Sequence, residues 1–224
     1  MPQKWAITMA VEGDLRFLSH HDTLRAIERT LARGRIPVRY SQGFNPRPTM
    51  SLSCPRPVGV ASQDDLLVLS LETDVTALEL ARMLNQQAPR GMSFSNARTF
   101  DGPPPQPCRM IYQTPLGASG SPHVAESLGE LQSLDAWPVS RPAKDPHDAP
   151  KTIDLRPLVQ QLEITNDSLL MTLTPQDQSW ARPAEVLRLV GLDERQDLAA
   201  TTRTSVEYRW GKPTQTSPPV AQTE

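Results

Sequence analysis

The sequence predicts an α+β protein made of two consecutive β-α-β-β-α-β units, each folded around an antiparallel sheet. Three observations carry that reading. Apolar residues alternate with a period of two in several short segments, Trp5, Ile7, Met9 and Val11 first among them, as on a half-buried strand. Between such segments the spacing changes to three and four, at Leu24, Ile27 and Leu31 and again at Leu80, Met83 and Leu84, as on the buried stripe of a helix. A proline-rich break, DGPPPQPC at residues 101–108, divides the chain, and the pattern loosely recurs beyond it.

Each element follows from local chemistry. The first strand runs through Trp5 and Val11. Ser19 followed by Asp22 makes an approximate capping box, with the hydroxyl placed to accept a backbone N–H of the first helical turn. Gly34 supplies the stop of that helix. A turn-rich segment leads to a strand through Met50, Leu52 and Cys54, and a further strand covers residues 65–72. A second helix spans about residues 76–87, and a strand over 92–100 closes the set. That order favours a ferredoxin-like fold, a four-stranded antiparallel sheet with both helices on one face.

DGPPPQPC can continue neither a strand nor a helix and reads as a linker. After it the spacing predicts a strand over 109–114, a helix over 123–134 with Val124, Leu128 and Leu131 inward, and a strand near 137–139. A proline-rich excursion to Pro150 precedes a hairpin over 158–165 and 168–174, turning at Asn166 and Asp167. A short helix over 182–192 tolerates Pro183 in its first turn, and residues 202–210 alternate as a last strand. The domain reading is an N-terminal ferredoxin-like unit over residues 1–100, a linker over 101–108, and a decorated second unit over 109–210. Residues 211–224 lack apolar periodicity and are expected to be a disordered tail.

The chain has 224 residues, enough for one large or two small domains. Its 23 prolines, about twice the usual share, cluster at the connections, so the ordered core is smaller than the length suggests. No apolar run approaches the roughly 20 residues that span a bilayer. The opening MPQKWAITMAVEG alternates and lacks a cleavage site, unlike a signal peptide. A cytoplasmic protein without membrane contact is expected. Cys54 and Cys108 are the only cysteines, too few for an iron–sulfur cluster, and both are expected as reduced thiols. Asp145, His147 and Asp148 sit in a proline-rich loop that offers no rigid metal scaffold, so no metal and no cofactor is assigned.

Charge is concentrated. Between Leu15 and Gly59 stand arginines 16, 25, 29, 33, 35, 39, 47 and 56 against only Asp22 and Glu28. Eight positive less two negative charges give +6 there, and with −2 for the whole chain the remainder sums to −8. Arg25, Arg29 and Arg33 step by four and form one exposed helical stripe. The loop YSQGFNPRP, residues 40–48, follows. Pro46 and Pro48 hold φ near −65°, Asn45 is pressed toward extended geometry, and Gly43 permits a positive φ. Phe44 would stack on a base and Arg47 would grip its phosphate, with Arg16, Gln42 and Asn45 beside them. The ordinary alternatives are a solvated charged face and a Tyr40–Phe44 pair that plugs the end of the core. The glycine spacing and lysine of a phosphate-cradling Walker loop are absent.

His20 shares its helical face with Leu24, Ile27 and Leu31, whereas His21 aligns outward with Arg25 and Arg29. His20 reads either as a satisfied, partly buried histidine or as a general base toward an RNA 2′-hydroxyl. It is the single catalytic candidate. In the second half, Arg156 and Arg182 next to prolines are weak anion-contact signals.

The segments RFLSHHD, RAIERTLARGRIPVRYSQGFNPRPTMSLSCPRPVGV, TIDLRPLV and ARPAEVL resemble the radical-SAM-linked protein family, a bacterial domain of unknown function encoded beside or fused behind cobalamin-binding radical-SAM proteins. The resemblance runs from about Trp5 to Trp210. Arg16, Phe17, Ser19, His20, Asp22, Arg25 and the loop residues Tyr40 to Pro46 with Pro48 match its motif, whereas His21 stands where the family typically has leucine. The resemblance implies a tandem ferredoxin-like arrangement similar to CRISPR repeat-associated RNA-processing proteins, and a link to a separately encoded radical-SAM enzyme in RNA modification. No metal or SAM ligands carry over, because the cluster cysteines belong to the partner.

The expectation is a non-catalytic RNA-binding accessory protein that presents a structured RNA, tRNA or rRNA, to a radical-SAM enzyme. Arg16, Arg25, Arg29, Arg33, Tyr40, Gln42, Phe44, Asn45 and Arg47 form the expected RNA surface. Two alternatives stand beside it: a protein-interaction module that docks on the enzyme without RNA, and a metal-independent ribonuclease that uses His20.

Overall fold

The computed structural model describes residues 3–117, 120–143, 145 and 149–211. It is a mixed α+β fold with a mostly antiparallel sheet and five α-helices among the described residues. The first half runs β1 (Gln3–Val11), α1 (His20–Arg33), β2 (Met50–Leu52), β3 (Ala61–Leu71), α2 (Ala77–Gln87) and β4 (Met92–Thr99). The second runs β5 (Gln106–Pro115), α3 (Gly120–Ser133), β6 (Pro138–Arg141), β7 (Lys151–Asp154), β8 (Val159–Thr165), β9 (Ser168–Leu173), α4 (Pro183–Leu189), α5 (Gln196–Ala200) and β10 (Thr202–Arg209). One sheet has the order β4-β1-β3-β10-β5-β9-β8, with β2 also paired to β3, and β6 and β7 form a separate antiparallel pair.

Alternation and helical spacing produce two cores. Trp5, Ile7, Met9 and Val11 on β1 pack with Leu67, Leu69 and Leu71 on β3, Phe94 on β4, Ile27 and Leu31 on α1, and Leu80 and Leu84 on α2. Both helices therefore bury their apolar stripe against the same sheet face. The second core gathers Met110 and Tyr112, Leu169, Met171 and Leu173, Val124, Leu128 and Leu131 of α3, and Val186 and Leu187 of α4. Within the halves the strand orders are β4-β1-β3-β2 and β10-β5-β9-β8, antiparallel at every step.

The halves join where β3 and β10 run parallel, at Ala61↔Thr202 and Ser62↔Arg203. Arg203 is buried there and donates to Asp65 at 2.6 Å, to the Cys54 carbonyl at 2.8 Å and to the Cys54 sulfur at 3.0 Å. Arg56 stands 3.5 Å from the other Asp65 oxygen and donates to the carbonyls of Val60 and Leu15. Burial raises the Cys54 pKa and keeps it a thiol.

Several boundaries differ from the sequence expectation. β5 begins at Gln106, inside the proline-rich linker, because it pairs with β10 from Tyr208 onward. The proline-rich excursion ends in β7, whose four residues are too short for a period, and α5 buries none of its five residues. Gly34 keeps a right-handed φ of −74°, and the left-handed φ falls on Arg35 at 49°. A Cβ on Gly34 would come within 3.1 Å of Ile36, so that glycine serves close packing. The hairpin turn at Asn166 and Asp167, with φ of 49° and 55°, forms as expected, two positive values being the requirement of a type I′ turn. The tail over 212–224 and His147 and Asp148 lie outside the described residues.

Candidate functional site

α1 is fixed at its start by Ser19, whose oxygen accepts the Asp22 backbone N–H at 3.1 Å while its hydroxyl donates to the Asp22 carboxylate at 2.7 Å. Those contacts, the Ser19 hydroxyl first, hold the Asp22 pKa below its usual range. Ile27 and Leu31 anchor one face on the sheet, so Arg25 and Arg29 are left on the solvent side. Arg25 lies 3.2 Å from Asp22 in an exposed pair, a contact of small energetic weight.

The loop after α1 is a closed finger. Tyr40 and Pro48 form an antiparallel bridge, Ser41 N–H donates to the Arg47 carbonyl at 2.8 Å, and Arg47 N–H donates to the Ser41 hydroxyl oxygen at 3.0 Å. Thr49 N–H returns to the Arg39 carbonyl and Arg39 N–H to Ser70 on β3, so the neck is tied to the sheet. Gly43 is nearly extended at φ 159° rather than a left-handed turn. Phe44 is fully exposed at the tip and Tyr40 is 46% exposed. Neither plugs the core.

Helix and finger enclose a groove of about 490 Å³. Its helical wall carries His21, Arg25, Glu28 and Arg29, and its other wall carries Tyr40 and Arg47 between Pro46 and Pro48. The arginine stripe and the loop thus share one surface. Gln42, Phe44 and Asn45 are exposed in the finger beyond the groove lining.

Three arginines of the basic window are engaged elsewhere. Arg16 donates to the carbonyls of Gly13 and Ala199, Arg33 to the Gln87 carbonyl at the end of α2, and Arg56 is buried beside Asp65. Arg33 leaves the stripe because the C-terminal carbonyls of α2 lie within its reach. His20 is absent from the groove lining; it is half-buried and its Nδ1 is sealed without a hydrogen-bond partner among the described residues. Burial, reinforced by His21, lowers its pKa, so its neutral form is favoured.

Arg156 donates to the Leu134 carbonyl and Arg182 lies 3.9 Å from Glu185, so both serve intrachain contacts. Among the described residues no cluster of three His, Cys, Asp or Glu side chains is placed to hold a metal, and no helix is long and apolar enough to cross a membrane. The groove is also lined by His21, Glu28, Pro46 and Pro48, which the sequence reading did not place in the RNA surface. For His21 and Glu28 the helical spacing was the available signal, since His21 aligns with Arg25 and Glu28 stands next to Arg29.

Residues 4–183 match a family described as an uncharacterized protein conserved in bacteria (DUF2344). The chain belongs to the DUF2344 family. The match spans β1 to the start of α4 and so contains the whole groove and finger. The family description names no partner enzyme or ligand. Comparison with curated proteins returns no match.

Proposed function

We propose that this DUF2344 protein is a non-catalytic RNA-binding accessory partner of a separately encoded radical-SAM enzyme, acting in the cytoplasm in tRNA or rRNA modification. One observation carries the RNA reading: Arg25 and Arg29 of α1 face Arg47 and Tyr40 of the finger across a single groove. Guanidinium groups grip phosphates in a planar fork, and Tyr40 and the exposed Phe44 offer ring faces for unpaired bases. The link to the radical-SAM enzyme rests on the family resemblance of the sequence motifs. The two halves are read as tandem ferredoxin-like units, supported by the strand orders β4-β1-β3-β2 and β10-β5-β9-β8, with β6 and β7 as an insertion in the second.

Three groove arginines on a single strand give a log–log salt slope of about −2. The test is filter retention of bulk tRNA and rRNA across a salt series. Wild-type protein should retain RNA with that slope, and Arg25→Glu with Arg29→Glu should abolish it. Retention unchanged in the double variant overturns the reading. The docking alternative is favoured instead if the enzyme co-purifies after nuclease treatment while RNA retention is absent. A ribonuclease would cut the RNA during incubation and lose that activity in His20→Ala; intact RNA is the expected outcome.

A further inference from the structure

A second cavity, of about 300 Å³, lies away from the groove where β3 and β10 part. Their parallel pairing covers only Ala61↔Thr202 and Ser62↔Arg203. Beyond it both strands are irregular, β3 opposite Met9 and Val11 and β10 between Arg203 and Ser205. Asp64 spans the gap, with its carboxylate accepting the Val206 N–H at 2.9 Å. Leu66 and Val206, both buried, supply an apolar surface. This is a wedge opened by the join between the halves, with a fixed acceptor on its wall.

The other wall is aromatic and cationic. Arg98 of β4 stacks over the Trp210 ring, 4.0 Å from its centroid, and Phe100 meets the same ring edge-on at 5.5 Å and 73°. Asn96 also lines the cavity, with φ of 48° at the register shift of β4 against Ala6 and Thr8. Bulges and left-handed non-glycine residues collect next to binding sites, where they re-aim a side chain. Asn96 supplies an amide donor and acceptor.

The charge balance separates this cavity from the groove. Its lining holds one arginine and one carboxylate, Arg98 and Asp64, where the groove holds three arginines and a single glutamate. A near-neutral pocket has little attraction for phosphate. It suits a flat, neutral heteroaromatic ring with polar edges: a stacked guanidinium and indole on one side, an apolar surface at Leu66 and Val206, and an amide and a carboxylate for the ring edge. The volume is at the low end of ligand pockets, about 300 Å³ and above.

We propose that the wedge between β3 and β10 is a nucleobase-binding subsite, with Trp210 and Arg98 as its stacking wall and Asn96 and Asp64 as its edge readers. It stands independently of the RNA reading of the groove, and the base comes either from a free nucleoside or from an RNA strand.

The experiment titrates the full chain with adenosine, guanosine, cytidine and uridine in turn by saturation-transfer NMR, and with a mixed-sequence single-stranded RNA hexamer. Nucleosides carry no phosphate for the groove arginines, and the Trp210 and Asn96 variants distinguish binding in this cavity from stacking on Tyr40 or Phe44, so the two readings fail separately. At least one nucleoside should saturate the site. Trp210→Ala and Asn96→Gly should each weaken it about tenfold, and Arg25→Glu with Arg29→Glu should leave it unchanged. Asn96→Gly keeps the left-handed backbone and removes only the amide, so its loss of binding is not a folding effect. A hexamer whose base signals depend on Trp210 identifies the strand as the source, and nucleoside signals alone identify the free compound. Absence of saturable binding by any nucleoside or by the hexamer overturns the proposal, as does binding that both cavity variants leave intact.

Discussion

His20 stands in the first turn of α1 with a sealed Nδ1 that has no hydrogen-bond partner among the described residues, and the cost of charging it there has a pH signature. Burial first, and His21 second, lower its pKa in the folded chain below the ordinary value of 6.5. The unfolded chain then binds the extra proton more readily as pH falls through about 6.5. The stability that the neutral ring confers is intact above that value and lost as pH falls through the lowered folded value. His20→Gln removes the titration. Urea unfolding midpoints taken at about pH 7 and about pH 5 should converge in the variant relative to wild type. An unchanged pH dependence would show that His20 is not the group responsible. The same residue has no access to the groove, so its substitution should leave RNA retention intact.

At the scale of elements, the finger over residues 40–48 separates binding from stability. Its neck is closed by the Tyr40–Pro48 bridge and the Ser41–Arg47 contacts, whereas Phe44 at the tip touches no core. Phe44→Ala should therefore leave the thermal midpoint unchanged. It should weaken retention of single-stranded RNA about tenfold, the usual cost of a lost base stack. A lowered midpoint would instead mean that the ring packs on the protein. The finger was legible in the sequence because proline, glycine and aromatic residues constrain the backbone locally. So was α1, through its cap at Ser19 and the Leu24, Ile27 and Leu31 stripe. The fates of Arg16 and Arg33 were not legible. Each satisfies a backbone carbonyl from a distant segment, Ala199 and Gln87, and charge counting along the chain carries no information about such partners. β7 and α5 escaped for a different reason. They are held by neighbours rather than by any periodic pattern of their own.

Across the whole molecule, the sequence indicates two halves but not their joint. Nothing local marks Asp65 and Arg203, 138 positions apart, as buried partners; composition argues for the surface, since such residues are almost never fully buried unless paired. The joint meets that exception by sharing one carboxylate between two guanidiniums. Arg203 is the closer, at 2.6 Å against 3.5 Å for Arg56. Burial is the largest single influence on both and works against their charge; for Arg203 the Asp65, Tyr112 and Cys54 side chains together outweigh it and raise the pKa, whereas for Arg56 burial prevails and lowers it. Asp65→Ala would strand two buried cations. Removing one partner from a buried pair costs about 3–5 kcal/mol, so urea unfolding of the variant should show a loss of that size. Arg203→Met should cost less, because Asp65 keeps Arg56 and the thioether fills the space. The damage should begin at the joint. The amides of Ala61, bonded to Thr201, and Val206, bonded to Asp64, should exchange with solvent before those of β1 or β9. A loss below about 0.5 kcal/mol, the range of a surface substitution, would mean that the parallel strand pairing alone holds the halves together. Uniform exchange across both halves would mean that they unfold as one unit from the start.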